Sequence, residues 1–569
     1  MHGAAMTNDP ATTPVRVESE PQPSGARLWE LLLILLVFFA LAGEPVPHVN
    51  EPHYLSRLKH FWDPAWCTGD LFLDSPDAHG LFVWTFGWVT RFLSLTATAW
   101  VGRILAWTWL AWAWQRLSWR LVPVPLASVL AAALWVTLTE TSHLAGEWVV
   151  GGVEAKCFAY GFVLLALRDM VDRRWNRVWI LLGVASALHA LVGGWSLIVC
   201  AGIWLEEKGD RSIFSRHPRR DDTIESKNGP DPFFASVVSM LPGLAVGGLV
   251  ALVGVVPAIA LTWHQPPEIV AEANQIYVFE RLPHHLALLT LPIEDVVVRL
   301  TRHGVLILSL WALTRVNRRF ATRFNNALQS VTWFAWGAVA LAAIGFAIEI
   351  TFWNQPVTAA ALLRHYWFRL TDAAVPMAVA LQAVALIATG FETRKLWAVW
   401  GLAAAIAVAG VQIGTNTTER FLAPVPPADA PMENYAAWVD ACEWIAASTP
   451  SDAHFLTPRR ATTFKWRTGR AEVATRKDIP QDARSMVEWF HRLRNIFYYQ
   501  LDDQSEPVDS IGELGTKRAV EMAHLYGADY IVTDQDHPLA LQAVYPNREH
   551  PNDEYVVYAV PHRSNHDRD

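Results

Sequence analysis

Eleven apolar runs, each near the length of a membrane crossing, punctuate this 569-residue chain. A crossing helix needs roughly 20 mostly apolar residues. The runs fall at 28–44, 97–115, 122–139, 152–168, 176–190, 191–205, 233–262, 297–315, 329–352, 371–390 and 395–414. Segments of this kind satisfy their backbone groups in lipid by becoming helices. The expected fold class is therefore an α-helical polytopic membrane protein with about eleven transmembrane helices. Charged residues make up 18% of the sequence, and soluble domains carry ~25%. The 29 tryptophans suit a protein with two long membrane interfaces.

Lysine and arginine in the connections set the orientation. The basic turns are Arg116/Arg120, Arg168 to Arg177, Lys208 to Lys227, Arg315 to Arg323, and Arg394/Lys395. Keeping all of them cytoplasmic has two consequences. Residues 79–96, although apolar, must lie along the outer interface, with Arg91 snorkelling. Residues 176–205, basic at both ends, must cross twice and reverse near Gly193 and Gly194. The polar stretch 1–26 is then a disordered cytoplasmic N-terminus. Residues 27–414 form the transmembrane domain, with a long outer loop at 45–96. Further outer loops fall at 140–151, 263–296 and 353–370. The charged connector 206–232 is cytoplasmic, and residues 415–569 are extracytoplasmic.

The tail from 415 changes character. "NYAAWVDACEWIAAS" places Trp438, Cys442 and Ile445 on one helical face. "AHFLTP", "ADYIVTD" and "EYVVYAV" read as short strands separated by helical stretches near 482–500 and 514–526. A small α/β domain is expected, without a nucleophile–base pattern or a phosphate loop. Asp534 and Asp536 in "TDQD" read as a strand end and turn, or as cation ligands. The four cysteines share no metal-ligand spacing. Cys157 and Cys200 read as small core residues, and Cys67 and Cys442 could pair only if both face an oxidising compartment. The formal charge of −8 is mild for the size and gives no reason to expect nucleic acid.

Chemistry belongs on loops held by a rigid scaffold. The first outer loop opens with "PHVNEPHYLSRLKHFWDP". Asn50 reads as an N-cap, Pro52 fits a first helical turn, and Leu55, Leu58, Phe61 and Trp62 continue an interfacial helix. Glu51 either complements the helix dipole or serves as a general base or metal-binding carboxylate. "GEWVVGGVEAKCFAYGFVLLAL" brings Glu147, Glu154 and Lys156 to the mouth of a span, where ionisable groups are costly. "YVFERLPHHLALL" supplies Arg281, His284 and His285, an anion-binding cluster more than a metal motif. "LLRHYWFRLTDAAVP" supplies Arg364, His365 and Arg369. Arginines there oppose the positive-inside rule and call for an anion, either a phosphate or carboxylates such as Glu51, Asp74 and Asp77. Carboxylates can activate an acceptor while arginine and histidine hold a departing phosphate.

The order of these features resembles the C-type (GT-C) integral-membrane glycosyltransferases. "NEPHYLSRLKHFWDP" looks like the acidic start of their first outer loop, with Glu51 at the acidic position. "DAHGLFVWTFGWVTRFLSLTATAWVGRIL" resembles their second interfacial helix, and "GGVEAKCFAYGFVLLAL" a second acidic site. The chain is also similar to a bacterial branch of large membrane proteins with "EPHYL", "EAK" and "RLPHHL" segments. The resemblance covers roughly 28–414 and implies a polyprenyl-phosphate-linked sugar donor, with inversion at the sugar carbon. On that reading Glu51 is the base, and Glu154 or Glu147 orients the acceptor or a divalent cation. Lys156, Arg281, His284, His285, Arg364, His365 and Arg369 bind substrate. It further implies a glycan, lipid or protein acceptor and a bacterial inner membrane with a periplasmic tail domain. A single carboxylate at Asn50-Glu51, in place of a pair, departs from the family pattern. The competing readings are a transporter, which would favour an internal repeat and mid-membrane charges, and a non-catalytic assembly protein of the same architecture.

Overall fold

A computed structural model describes residues 24–213, 232–499 and 506–561. The N-terminal stretch 1–23 and most of the charged connector, 214–231, lie outside the described residues. Helices occupy all eleven apolar runs. They are α1 (Ser24–Ala42), α3 (Leu95–Leu121), α4 (Ala127–Thr141), α5 (Ala155–Val171), α6 (Trp175–Leu188), α7 (Ala190–Ile213), α8 (Pro232–Ala260), α10 (Ile293–Arg319), α11 (Asn325–Thr351), α12 (Arg369–Glu392) and α13 (Trp397–Leu422). Between them α2 (Glu51–Trp62) and α9 (Pro267–Gln275) lie in long connections. Among the described residues, six helices are long and apolar enough to cross a membrane: those in α7, α8, α10, α11, α12 and α13. Their outward faces carry Leu249, Leu308, Trp400 and Val411, each more than half exposed. Surfaces this apolar belong in lipid, and the chain is an integral membrane protein.

The eleven expected spans are not eleven equal crossings. At 14 residues, α6 reaches about 21 Å, short of the ~30 Å hydrocarbon core. The reversal expected at Gly193 and Gly194 falls instead at His189, whose extended backbone separates α6 from α7. Gly193 has a different duty. A Cβ there would lie 2.1 Å from the Ser186 nitrogen, so glycine lets the returning helix close on the outgoing one. The same device joins α8 to α6. A Cβ on Gly247 would lie 2.3 Å from the Trp179 carbonyl, and one on Gly254 2.3 Å from the Ala187 carbonyl. With no hydrophobic drive between helices in lipid, such backbone proximity holds the pair. Gly247→Leu is expected to cost about 1–3 kcal/mol by overpacking, visible as a lower thermal unfolding midpoint of the purified protein.

Residues 79–96 do not cross as a helix. They form a short helix (Gly80–Phe86) and a 3-10 turn (Gly87–Arg91) before α3 begins. Trp84, Trp88 and Phe92 are exposed there, an aromatic band suited to an interface. The core of the bundle is apolar and aromatic, with Trp114 stacked on Trp135 at 4.5 Å.

The tail is a three-layer α/β unit. Its sheet runs β2 (Ala471–Glu472), β1 (His454–Leu456), β3 (Tyr530–Asp534), β5 (Tyr555–Ala559) and β4 (Ala543–Tyr545). β1 is parallel to β2 and β3, and β5 is antiparallel to β3 and β4. Side chains alternate between faces, as the pleat requires. Phe455, Val532 and Val557 face α14 (Tyr435–Ser448) with Trp438, Cys442 and Ile445. Leu456, Ile531 and Val556 face α15 (Ala483–Phe497) and α16 (Gly515–Tyr526). That second core also takes in Ala273 and Ile276 at the C-terminal end of α9, so the domain is docked on a loop of the membrane bundle.

The cysteine pairing is not formed, and the strand-end reading of Asp534 holds. All four cysteines are free and buried, so Cys67 and Cys442 do not pair. Asp534 accepts from the His537 backbone (3.0 Å) and ring (2.7 Å), which makes it a turn residue.

Candidate active site

The long connections 43–94, 142–154, 261–292 and 352–368 emerge at one end of the bundle, beneath the tail domain. They enclose a cavity of about 690 Å³. Nine of the sequence-derived site residues line it: Glu147, Glu154, Lys156, Arg281, His284, His285, Arg364, His365 and Arg369. They come from three separated segments, 147–156, 281–285 and 364–369, and each segment is pinned by its own anchor.

The loop carrying Glu147 hangs on Asp372 of α12, which is wholly buried. The Asp372 carboxylate accepts from the backbone nitrogens of Leu144 (2.6 Å), Ala145 (2.9 Å) and Glu147 (3.2 Å). Arg299 donates to the carbonyls of Leu144 (3.1 Å) and His284 (3.3 Å), and the His285 ring bonds the Ala145 carbonyl. Glu154 is the N-cap position of α5, with Lys156 in its first turn. Arg364 donates to Asn274 of α9 (2.5 Å), and the Tyr277 and Tyr366 hydroxyls meet at 2.8 Å.

A chain of polar contacts crosses the cavity floor. Lys477 of the tail domain donates to the Asn50 Oδ1 (2.5 Å), and the Asn50 amide donates to Glu154 (2.6 Å). Lys156 lies 3.5 Å from Glu154 and 3.5 Å from Glu147, with its ammonium 3.8 Å from the Trp148 ring centre. Arg369 pairs with Glu147 at 2.9 Å and donates to the His189 ring at 3.0 Å. Burial raises the Glu147 pKa, against the opposing pull of Arg369 and Lys156. One of its carboxylate oxygens, Oε1, has no hydrogen-bond donor. On the facing wall, burial and then Arg281 and Arg299 push His284 down to about 4, so it is neutral. Burial also pushes Arg281 down to about 10 and Lys477 to about 8.

Glu51, the residue read from sequence as the base, is elsewhere. It is fully buried and does not line the cavity. Arg103 grips it at both oxygens, 2.7 Å each, and the His48 (2.7 Å) and Val153 (3.1 Å) backbone nitrogens donate to it. Its acceptor capacity is used by protein. Asn50 is at the N-cap position but makes no side-chain cap bond, because its amide is committed to Glu154 and Lys477.

The donor set does not fit a divalent cation. The two cavity carboxylates are already bridged by an ammonium. Among the described residues, no group of three or more His, Cys, Asp and Glu side chains is arranged to hold a metal ion.

Sequence reading missed Lys477, Asn274, Tyr54 and the cavity role of His189. It also missed Arg103, for which a signal existed: an arginine inside the apolar run "AWVGRILAW" demands a buried partner.

The tail domain is latched to the first loop by a second polar cluster. Lys465 is buried beside Asp70 (3.2 Å), Asp478 (2.6 Å) and Glu472. His53 of α2 meets Asp478 at 3.2 Å. Burial raises Glu472 to about 7, and Lys465 holds Asp478 below the usual carboxylate range despite its own burial. His48 and His60 are also spoken for, by Glu44 (3.1 Å) and Asp74 (2.9 Å). Lys465→Met is expected to cost about 1–3 kcal/mol, softened because Glu472 can take a proton. Limited proteolysis should then release the tail domain from the bundle.

Fold and site together define a polytopic membrane protein whose polar cavity is roofed by an appended α/β domain. Residues 436–496, within that domain, match a family model described as a domain of unknown function (DUF6798). The match includes both Lys465 and Lys477. Among curated proteins, no relative matches the chain. Among solved structures, the chain is similar to the oligosaccharyltransferase of Archaeoglobus fulgidus, solved with a tethered acceptor peptide containing the NVT sequon. The identity is 13% and the TM-score 0.45, over 90% of this chain and 69% of that one.

Proposed function

We propose that this protein is a membrane glycosyltransferase that moves a sugar from a polyprenyl-phosphate-type lipid to an acceptor in the loop-side cavity. The observation that carries this reading is the composition of one enclosed space. Two carboxylates, five cationic side chains and an apolar wall all line it. The wall includes Val255, Ala258 and Ile259 of α8, a helix that packs one face on α6 and leaves Leu249, Leu252, Val253 and Val256 exposed. A lipid tail can follow that helix while its headgroup enters the polar part.

The base assignment moves from Glu51 to Glu147. Among the described residues Glu147 Oε1 accepts no hydrogen bond, its ion-pair partner Lys156 standing off at 3.5 Å, and burial raises the basicity of the carboxylate. Glu154, fixed by Asn50, orients the acceptor, and Lys156 keeps the two carboxylates apart. The reaction is a single displacement. An acceptor O–H or N–H group attacks the sugar carbon, its proton passes to Glu147, and the sugar–phosphate C–O bond breaks. The bonding pair leaves with the phosphate, where Arg281, Arg364 and Arg369 meet the growing charge. One-step attack inverts the sugar carbon. On the positive-inside reading the cavity faces away from the cytoplasm.

The test is a transfer assay with the purified full-length protein and radiolabelled prenyl-phosphate-linked and prenyl-diphosphate-linked sugars. Time-dependent release of the prenyl phosphate with label in an acceptor supports the reading. No release from any donor overturns it in favour of an assembly protein.

A further inference from the structure

We infer that Lys477 joins Arg281 and Arg364 in the cavity's anion site, completed by the tail domain, and that this site takes a diphosphate in preference to a monophosphate. This rests on the cavity being the donor site. The argument is one of charge and partners. Of the five cationic side chains lining the cavity, Lys156 and Arg369 are paired with its two carboxylates. Among the described residues, the other three make no ion pair. Arg364 donates to the Asn274 amide (2.5 Å) and Lys477 to the Asn50 amide (2.5 Å). Among the described residues, Arg281 donates to the Lys477 carbonyl (3.4 Å) alone, and its buried Nε has no hydrogen-bond partner.

Cations held out of water without counter-charge are costly, and an anionic ligand of matching charge repays that cost. A phosphodiester, as in a monophosphate-linked sugar, carries one negative charge. The corresponding diphosphate diester carries two, with twice the equatorial oxygens to accept from the guanidinium forks. Three uncompensated cations match the second group better. The depressed pKa values of Arg281 and Lys477 fit two like charges crowded by burial.

Lys477 gives this site a particular character. It is the cation supplied by the tail domain, in the segment 477–486 that contributes one cavity wall. Binding of a diphosphate therefore draws the domain onto the bundle, and a domain held away leaves the site one charge short.

Isothermal titration of the full-length protein in detergent tests this with geranyl diphosphate, geranyl monophosphate and inorganic pyrophosphate, the two geranyl monoesters each carrying one charge more than the sugar diesters and so keeping the one-charge difference between them. Geranyl diphosphate is expected to bind at least about tenfold more tightly than the monophosphate. Lys477→Met should remove that advantage with less than about a twofold change for the monophosphate, and Lys477→Arg should retain it. Pyrophosphate matching geranyl diphosphate would identify a free diphosphate as the ligand, and weaker pyrophosphate binding a lipid-linked one. Equal affinity of wild type for the two geranyl phosphates overturns this inference and leaves the donor reading standing. So does an equal loss for both in Lys477→Met. No binding of either geranyl phosphate overturns both.

Discussion

Glu147→Gln is expected to lower transfer turnover by about 10²–10⁴-fold with little change in donor affinity, the usual contribution of a positioned general base. The amide keeps the size and the contact with Arg369 but cannot take a proton. The pH profile gives a second readout. Burial raises the Glu147 pKa, Glu154 and Asp372 push the same way, and Arg369 and Lys156 oppose. The base works only when deprotonated, so turnover climbs with pH through that raised value. Residual activity in Glu147→Gln should lose the climb. At the alkaline end, Lys477 is charged only below about 8, pressed down by burial, Arg281 and Lys156 and held up by Glu154 and Asp478. Donor affinity should therefore fall above about pH 8, and Lys477→Arg should abolish that fall. A Glu147→Gln enzyme with wild-type turnover would transfer the role to Glu154.

Glu51→Gln is expected to act on stability. Arg103 and Glu51 are each 0% exposed, and the bidentate pair is the counter-charge for both. Neutralising one partner leaves a buried guanidinium without compensation, at a cost of about 3–5 kcal/mol. The pair joins α2 to α3, and the Val153 nitrogen ties it to the segment leading into Glu154. The expected signature is a large drop in thermal unfolding midpoint with near-normal turnover in whatever fraction remains folded. Lost turnover at unchanged stability would return Glu51 to the chemistry.

The sequence makes the bundle legible because apolar length is a local property. Each of the eleven runs holds a helix, and errors fall at ends and bends such as His189. The cavity residues were legible for a related reason. Glu147, Lys156, Arg364 and Arg369 stand at the edges of apolar runs, where charge needs a cause. Two features were not legible. Glu51 is preceded by an N-cap asparagine and looks available, and only the fold reveals Arg103 opposite it. Lys477 lies in "TRKDIP", an ordinary loop of the tail by composition. Its importance comes from docking across more than 400 residues of chain, against Asn50, and no local pattern records such a contact.

The latch and the Lys477 contact also bear on how the protein is made. In chain order the cavity is supplied by residues 50–54, 78–79, 146–156, 187–191, 254–262, 273–285 and 361–369, and only afterwards by 477–486. Domains fold as units and in the order they are synthesised. A ribosome therefore inserts the whole membrane bundle, carboxylates and arginines included, before the roof exists. During that interval the cavity lacks the wall that residues 477–486 supply. Translation order therefore makes docking of the tail domain the step that completes the cavity.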